Sequence, residues 1–277
     1  MKKCLSIALL ALAFSAPLFC GTSKIKSSSA KTVNSQSSVS AGKTKKSQAG
    51  TKSNAAKTKS STESSKSKGK SLAPLDTARN VDYMSDFEKD VILEMNKARA
   101  DPKQFADLYL VPRLERFDGK LYIEKGTGAG NSKGRMILTR EGAAVVKECI
   151  EFMYKQTPRS PLKPSKGLTQ AAKEHAESQV LTNEFGHTRA DGTSPFENMG
   201  RYGSFMGCGE NISYGMRAAR DTVLQLLIDD GVSSRGHRKN LMSKKYSSAG
   251  VGFAENKETQ RTECVIDYAQ NFVEKSQ

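Results

Sequence analysis

The chain has 277 residues, with 44 Lys and Arg against 29 Asp and Glu, giving a formal charge of +15. That excess is local. Gly21 to Ser71 holds twelve lysines against the single acid Glu63, a balance of +11, whereas 30 basic residues face 28 acidic ones from Leu72 onward. A basic folded surface is therefore excluded, and no nucleic-acid partner is expected.

The chain opens with Lys2 and Lys3, followed by an almost unbroken apolar run from Leu5 to Phe14. The run is too short to span a bilayer comfortably and reads as a signal peptide over residues 1–20. Cys20, followed by Gly21, resembles a lipoprotein attachment site, although bulky Phe19 departs from that pattern. Export to the periplasm or cell surface is expected, with lipid anchoring at Cys20 as the alternative. Residues 21–75 are dominated by Ser, Lys, Thr, Ala and Gly, without an aromatic residue before Ser71. Such a segment buries too little apolar surface to offset its ordering entropy, so it is expected to be a disordered linker. Its lysines offer contacts to an anionic cell-envelope polymer.

Residues 76–277 are enough for one domain. Phe87, Val91, Met95 and Ala98 recur at helical spacing up to Asp101-Pro102, and a short helix is expected from Pro102 to Leu110. Arg116 to Arg135 reads as a long loop with a short hairpin around Leu121-Tyr122-Ile123. Glu141 to Lys155 is amphipathic, and Leu168 to Val180 follows the pattern of a one-sided helix. Ser194-Pro195-Phe196-Glu197 has the form of a capping box. Asp221 to Ile228 gives a further helix, and β-type runs come late, at Ile212–Tyr214, Gly250–Ala254 and Thr262–Gln270. This order predicts an α+β fold with helices on both sides of a small, mostly antiparallel sheet.

His187 and His237 lie in polar, glycine-marked stretches that predict loops, which suits ligands or bases better than core positions. His175 lies near the apolar face of its helix and is expected to be a hydrogen-bonded packing residue. Gly209 before Glu210 predicts close backbone approach at a cleft wall. Asp229 and Asp230 end a helix, where acids oppose the macrodipole; this local cost points to function, with turn chemistry before Gly231 as the alternative. The common hydrolase and nucleotide motifs are absent. Cys149, Cys208 and Cys264 are too few for a disulfide scaffold and match no zinc-cluster spacing, although one bridge among them is open.

Phe185-Gly186-His187-Thr188, Asp191-Gly192-Thr193-Ser194-Pro195-Phe196, Gly209-Glu210-Asn211-Ile212 and Gly236-His237-Arg238-Lys239-Asn240-Leu241 occur in that order. Together they resemble the bacterial branch of the CAP superfamily: cysteine-rich secretory proteins, antigen 5 and pathogenesis-related 1 proteins. The resemblance implies an α-β-α sandwich with a cleft in which two histidines and two acids can bind a divalent metal, zinc being preferred. His187, Glu210 and His237 match three of those positions, and the fourth falls on Asp229 or Asp230. It implies a non-catalytic binding or interaction module for a lipid, another small hydrophobic molecule or a partner protein. The alternative is a metal-dependent hydrolase with His187 and His237 as ligands and Glu210 as general base.

Overall fold

The computed structural model describes residues 19–20, 74–124 and 135–276. The expected signal peptide and linker lie outside the described residues, apart from a two-residue strand β1 (Phe19–Cys20) and the linker's last two residues.

Local sequence sets the helix ends. The first helix, α1 (Asp86–Ala100), starts at a capping box in which Ser85 Oγ accepts from the Glu88 backbone N–H and Glu88 accepts from that of Ser85. Asp101 closes α1 and, through its carboxylate, caps α2 (Pro102–Tyr109), where Pro102 occupies the first turn. A 3-10 turn (Val111–Arg116) leads into β2 (Phe117–Asp118), β3 (Leu121–Ile123) and β4 (Met136–Leu138), which form a separate three-stranded antiparallel sheet. The expected hairpin is thus two of three strands, and β4 continues the pairing beyond the stretch read as loop. After α3 (Ala143–Lys155) and β5 (Lys163–Pro164) comes α4 (Lys166–Thr182), capped by Ser165. The capping box at Ser194 starts α5 (Pro195–Tyr202). Then follow β6 (Gly203–Ser204), β7 (Gly207–Tyr214), α6 (Ala219–Ile228), α7 (Gly236–Leu241), β8 (Ser248–Asn256), β9 (Arg261–Gln270) and β10 (Val273–Glu274).

The main sheet has the order β1-β7-β9-β8-β5, antiparallel except where β5 meets β8. Its faces separate by the period of two along each strand. Val251, Cys264, Ile266 and Tyr268 join a large cluster with Met95, Val146, Met153 and Leu227 from α1, α3 and α6. Ile212, Tyr214 and Val265 face the other way, against Ala172, Ala176 and Val180 of α4. This is the expected α-β-α sandwich. Gly250 and Gly252 set the spacing of its α4 layer, because a Cβ at either would run into the backbone of Leu168 or Ala172. Among the described residues no helix is long and apolar enough to cross a membrane. Cys149 and Cys264 are free, buried thiols, so no bridge forms within the set of three.

Candidate functional site

Strand β7 carries the site. Its even positions face α4 and its odd positions face α6 and α7, so neighbouring residues of one motif serve two different clusters.

On the α4 face, Glu210 is 1% exposed and accepts from two imidazoles. His175 Nδ1 lies 2.8 Å from Oε2 and His187 Nδ1 2.6 Å from Oε1. Burial opposes ionisation of Glu210, but the bonds to His175 and His187 outweigh it and hold its carboxyl below the usual range. The other nitrogen of His175 accepts from Gln179 Nε2 at 2.8 Å. That places both ring nitrogens of His175 in hydrogen bonds, as its packing role requires, but in direct contact with the cleft acid. His187 differs: its Nε2 is buried with no hydrogen-bond partner among the described residues. The loop that holds it is tied down by Tyr214, whose hydroxyl accepts from Gly186 N at 3.0 Å, and by Gln179 bonded to the Gly186 carbonyl.

Sequence reasoning missed a second acid. Asp267 is the register partner of Glu210 on β9 and is 1% exposed. Burial, then the charge of Glu210 and a hydrogen bond with it, push Asp267 well above the usual carboxylate range. The two paired carboxyls are thus driven apart in proton affinity, Glu210 downward and Asp267 upward. The available signal was a lone acid within the apolar run Cys264-Val265-Ile266-Asp267-Tyr268.

The second cluster is built on α6 and α7. His237 does not occupy a loop: it sits in the first turn of α7 and is 6% exposed. The glycine and polar residues around it mark an αL N-cap at Arg235, φ 51°, rather than an irregular segment. Asp229 takes an αL conformation at the end of α6, and its carboxylate turns to the start of α7. It accepts from His237 N at 3.0 Å, His237 Nδ1 at 2.7 Å and Arg238 N at 3.4 Å. The acid that opposes the dipole at one helix C-terminus thus serves the next helix's N-terminus, where the dipole favours it. Asp230 turns elsewhere, accepting from the backbone N–H of Arg140 and Glu141 just before α3. Arg238 donates to the Leu227 and Ile228 carbonyls that end α6, and to Glu148.

The two clusters are joined through the motif asparagines. Asn211 Nδ2 donates to the His237 carbonyl at 3.0 Å, and Asn240 Nδ2 donates to Asn211 Oδ1 at 3.0 Å and to the Glu210 carbonyl. Gly209 makes this possible, since a Cβ there would stand 2.5 Å from the Tyr246 hydroxyl and 3.2 Å from Asn240 Oδ1. Two motifs far apart in sequence are therefore one hydrogen-bonded unit. Among the described residues, however, no three His, Cys, Asp or Glu side chains are grouped to hold a metal ion. Both Glu210 oxygens and the Nδ1 atoms of His187 and His237 are engaged within the protein, a pattern that orients imidazoles.

Beside His237 and Asp229 lies a cavity of about 140 Å³. Its wall includes Tyr122 and Ile137 from the small sheet, Val146 from α3, Ile212 from β7 and Leu226 from α6.

The family model of the Cysteine-rich secretory protein family, CAP, matches residues 94–268. The chain belongs to the CAP family. A CAP relative, the uncharacterized protein YkwD of Bacillus subtilis (strain 168), is 28% identical over 118 residues, covering 41% of this chain and 44% of that protein. An extracellular protein containing an SCP domain from Bacillus anthracis str. Ames is similar in structure, with TM-score 0.33 and 20% identity, over 46% of this chain and 38% of that one. An outer surface protein from Borrelia burgdorferi gives TM-score 0.35 and 19% identity, over 45% of this chain and 87% of that one. This CAP chain spans less than half the length of the YkwD and B. anthracis proteins. The matched stretch contains both histidine clusters.

Proposed function

We propose that this CAP chain is an exported, non-catalytic binding module whose cavity takes a small apolar molecule, such as a lipid acyl chain. The observation that carries this reading is the cavity itself. Its apolar lining favours burial of a hydrocarbon group, while His237, held by Asp229, and Gln225 offer polar contacts at one wall. The leader-like first twenty residues support export, with lipidation at Cys20 as the finer alternative. The lysine-rich segment supports retention near an anionic envelope polymer.

Protein purified from the cell envelope, extracted and analysed by mass spectrometry, should release a hydrophobic molecule in stoichiometric amount. Ile137→Trp, which fills the cavity from β4, should abolish uptake of a fluorescent fatty acid. Uptake unaffected by that change would sink the cavity reading.

A second reading, hydrolysis, is favoured by the bond between His237 Nδ1 and Asp229, which fixes the imidazole as it would for a general base. Turnover of ester or peptide substrates that disappears in His237→Ala would support it.

A further inference from the structure

We propose that Cys20 and Cys208 form a disulfide bridge that pins the N-terminal segment to the edge of the main sheet. The register carries the inference. β1 runs antiparallel to β7, with Phe19 opposite Gly209 and Cys20 opposite Cys208. Directly opposed residues of an antiparallel pair hold their Cα atoms about 4.5–5.5 Å apart, with their side chains on one face. A disulfide spans Cα separations of roughly 4.4–6.8 Å. Backbone pairing alone therefore brings these two cysteines to bridging distance, although most of the chain separates them in sequence.

The other domain cysteines are placed elsewhere. Cys208 packs with Leu168, Ala171, Met199 and Ala269 on the α4 face, whereas Cys149 and Cys264 belong to the cluster on the other face of the sheet. Cys149 donates to the Leu227 carbonyl at 3.2 Å. Burial pushes the Cys149 thiol up to about 12 and raises that of Cys264 as well, which makes both poor thiolates for exchange. Without β1, β7 is the outermost strand of its sheet, and an unpaired edge is a template for other chains. The bridge keeps that edge covered and fastens β7 two residues before Glu210. It requires that the leader be cut before Cys20. Ala13-Phe14-Ser15 has small residues at the two positions a leader peptidase reads, and cleavage after Ser15 retains Cys20. Closure is a two-electron oxidation: each thiol loses its proton, and a disulfide oxidant of the envelope takes both electrons and leaves as a dithiol. The oxidising compartment rests on the export proposed above; the register does not. A lipid thioether would use the same sulfur, so the bridge and lipidation exclude each other. With the bridge closed, the lysine-rich segment is tied to the domain at both ends and is no longer a free tether.

The protein is recovered from the cell envelope in the presence of iodoacetamide, digested with trypsin without reduction and analysed by mass spectrometry. The expected product joins the fragment ending at Lys24 to Tyr202–Arg217, and reduction separates the two. A diacylglyceryl group on Cys20, an N-terminus beyond Cys20, or alkylation of both thiols would overturn the proposal. So would Cys208 joined to any other cysteine or to a second copy of the chain. In parallel, the full chain is purified reduced and equilibrated with oxidised glutathione, where the Cys20–Cys208 link should form ahead of every other pair; its failure to form overturns the proposal as well. A link that forms in this buffer, while the protein in cells stays reduced and cytoplasmic, supports the geometry and removes the export reading alone. Amide exchange across Gly207–Glu210 should quicken on reduction and in Cys20→Ser. Exchange indifferent to both changes would show that the edge is not pinned.

Discussion

Glu263 should make the domain less stable as pH rises, and Glu263→Gln should remove that loss. The side chain is fully buried on β9, with one oxygen 2.9 Å from Arg261 and the other without a hydrogen-bond partner among the described residues. Burial pushes its carboxyl up to about 8, against the opposing charge and hydrogen bond of Arg261. In the unfolded chain a glutamate titrates near ~4.3. A folded-state value above the unfolded one means that the native state binds the extra proton. Its stabilisation is complete below ~pH 4.3 and is lost as pH rises through about 8. Each unit is worth about 1.4 kcal/mol, so the loss amounts to roughly 3–4 kcal/mol by neutral pH and up to ~5 kcal/mol above pH 8. Glutamine keeps the shape and a donor and acceptor without a titratable proton. Urea unfolding of both proteins across this range should give a difference in stability that is small in acid and grows in favour of the variant towards alkaline pH. Comparing the two profiles cancels the parallel contribution of Asp267. Profiles that stay parallel from about pH 5 to pH 8.5 would refute the reasoning and show that Glu263 is ionised throughout.

Asp229→Ala removes an acceptor from three donors at the start of α7 and should cost about 3–5 kcal/mol, read as a lower urea midpoint together with faster amide exchange across Gly236–Leu241. Gly252→Ala forces a Cβ into the α4 backbone and should destabilise by at least about 2 kcal/mol; an unchanged midpoint would mean that the α4 layer is looser than described. Arg99 is 1% exposed and donates to the Ser160, Leu241, Ser243 and Tyr246 carbonyls, so Arg99→Met should strand those acceptors and cost about 3–5 kcal/mol in thermal or urea unfolding. Glu210 contributes in the opposite pH sense to Glu263: its carboxyl is held below the usual range, so its stabilisation is present above ~pH 4.3 and lost as pH falls through the folded value. Glu210→Gln should therefore flatten the acid limb of the stability profile, and an unaltered limb would count against the two-imidazole arrangement.

Much of the fold was legible in local sequence because helix ends depend on near neighbours. Ser85, Asp101 and Ser194 begin helices by contacts within three residues, and the periods of apolar residues identify α1, α4 and β9 without reference to anything distant. The ordered glycine, histidine and asparagine motifs likewise carry the family, since each fixes a local turn or a close approach. The site was legible as a set of residues and not as an arrangement. The one-residue alternation of β7 decides that Glu210 meets His175 and His187 while Asn211 meets α7, and the register with β9 sets Asp267 beside Glu210. Asp229 read as an unfavourable helix end until the chain's reversal delivered the next helix's N–H groups to it. Its electrostatic sense depends on which helix it serves. Hydrogen bonds between residues far apart in sequence, in a medium where burial raises the stakes of every unpaired group, are what only the tertiary structure could decide.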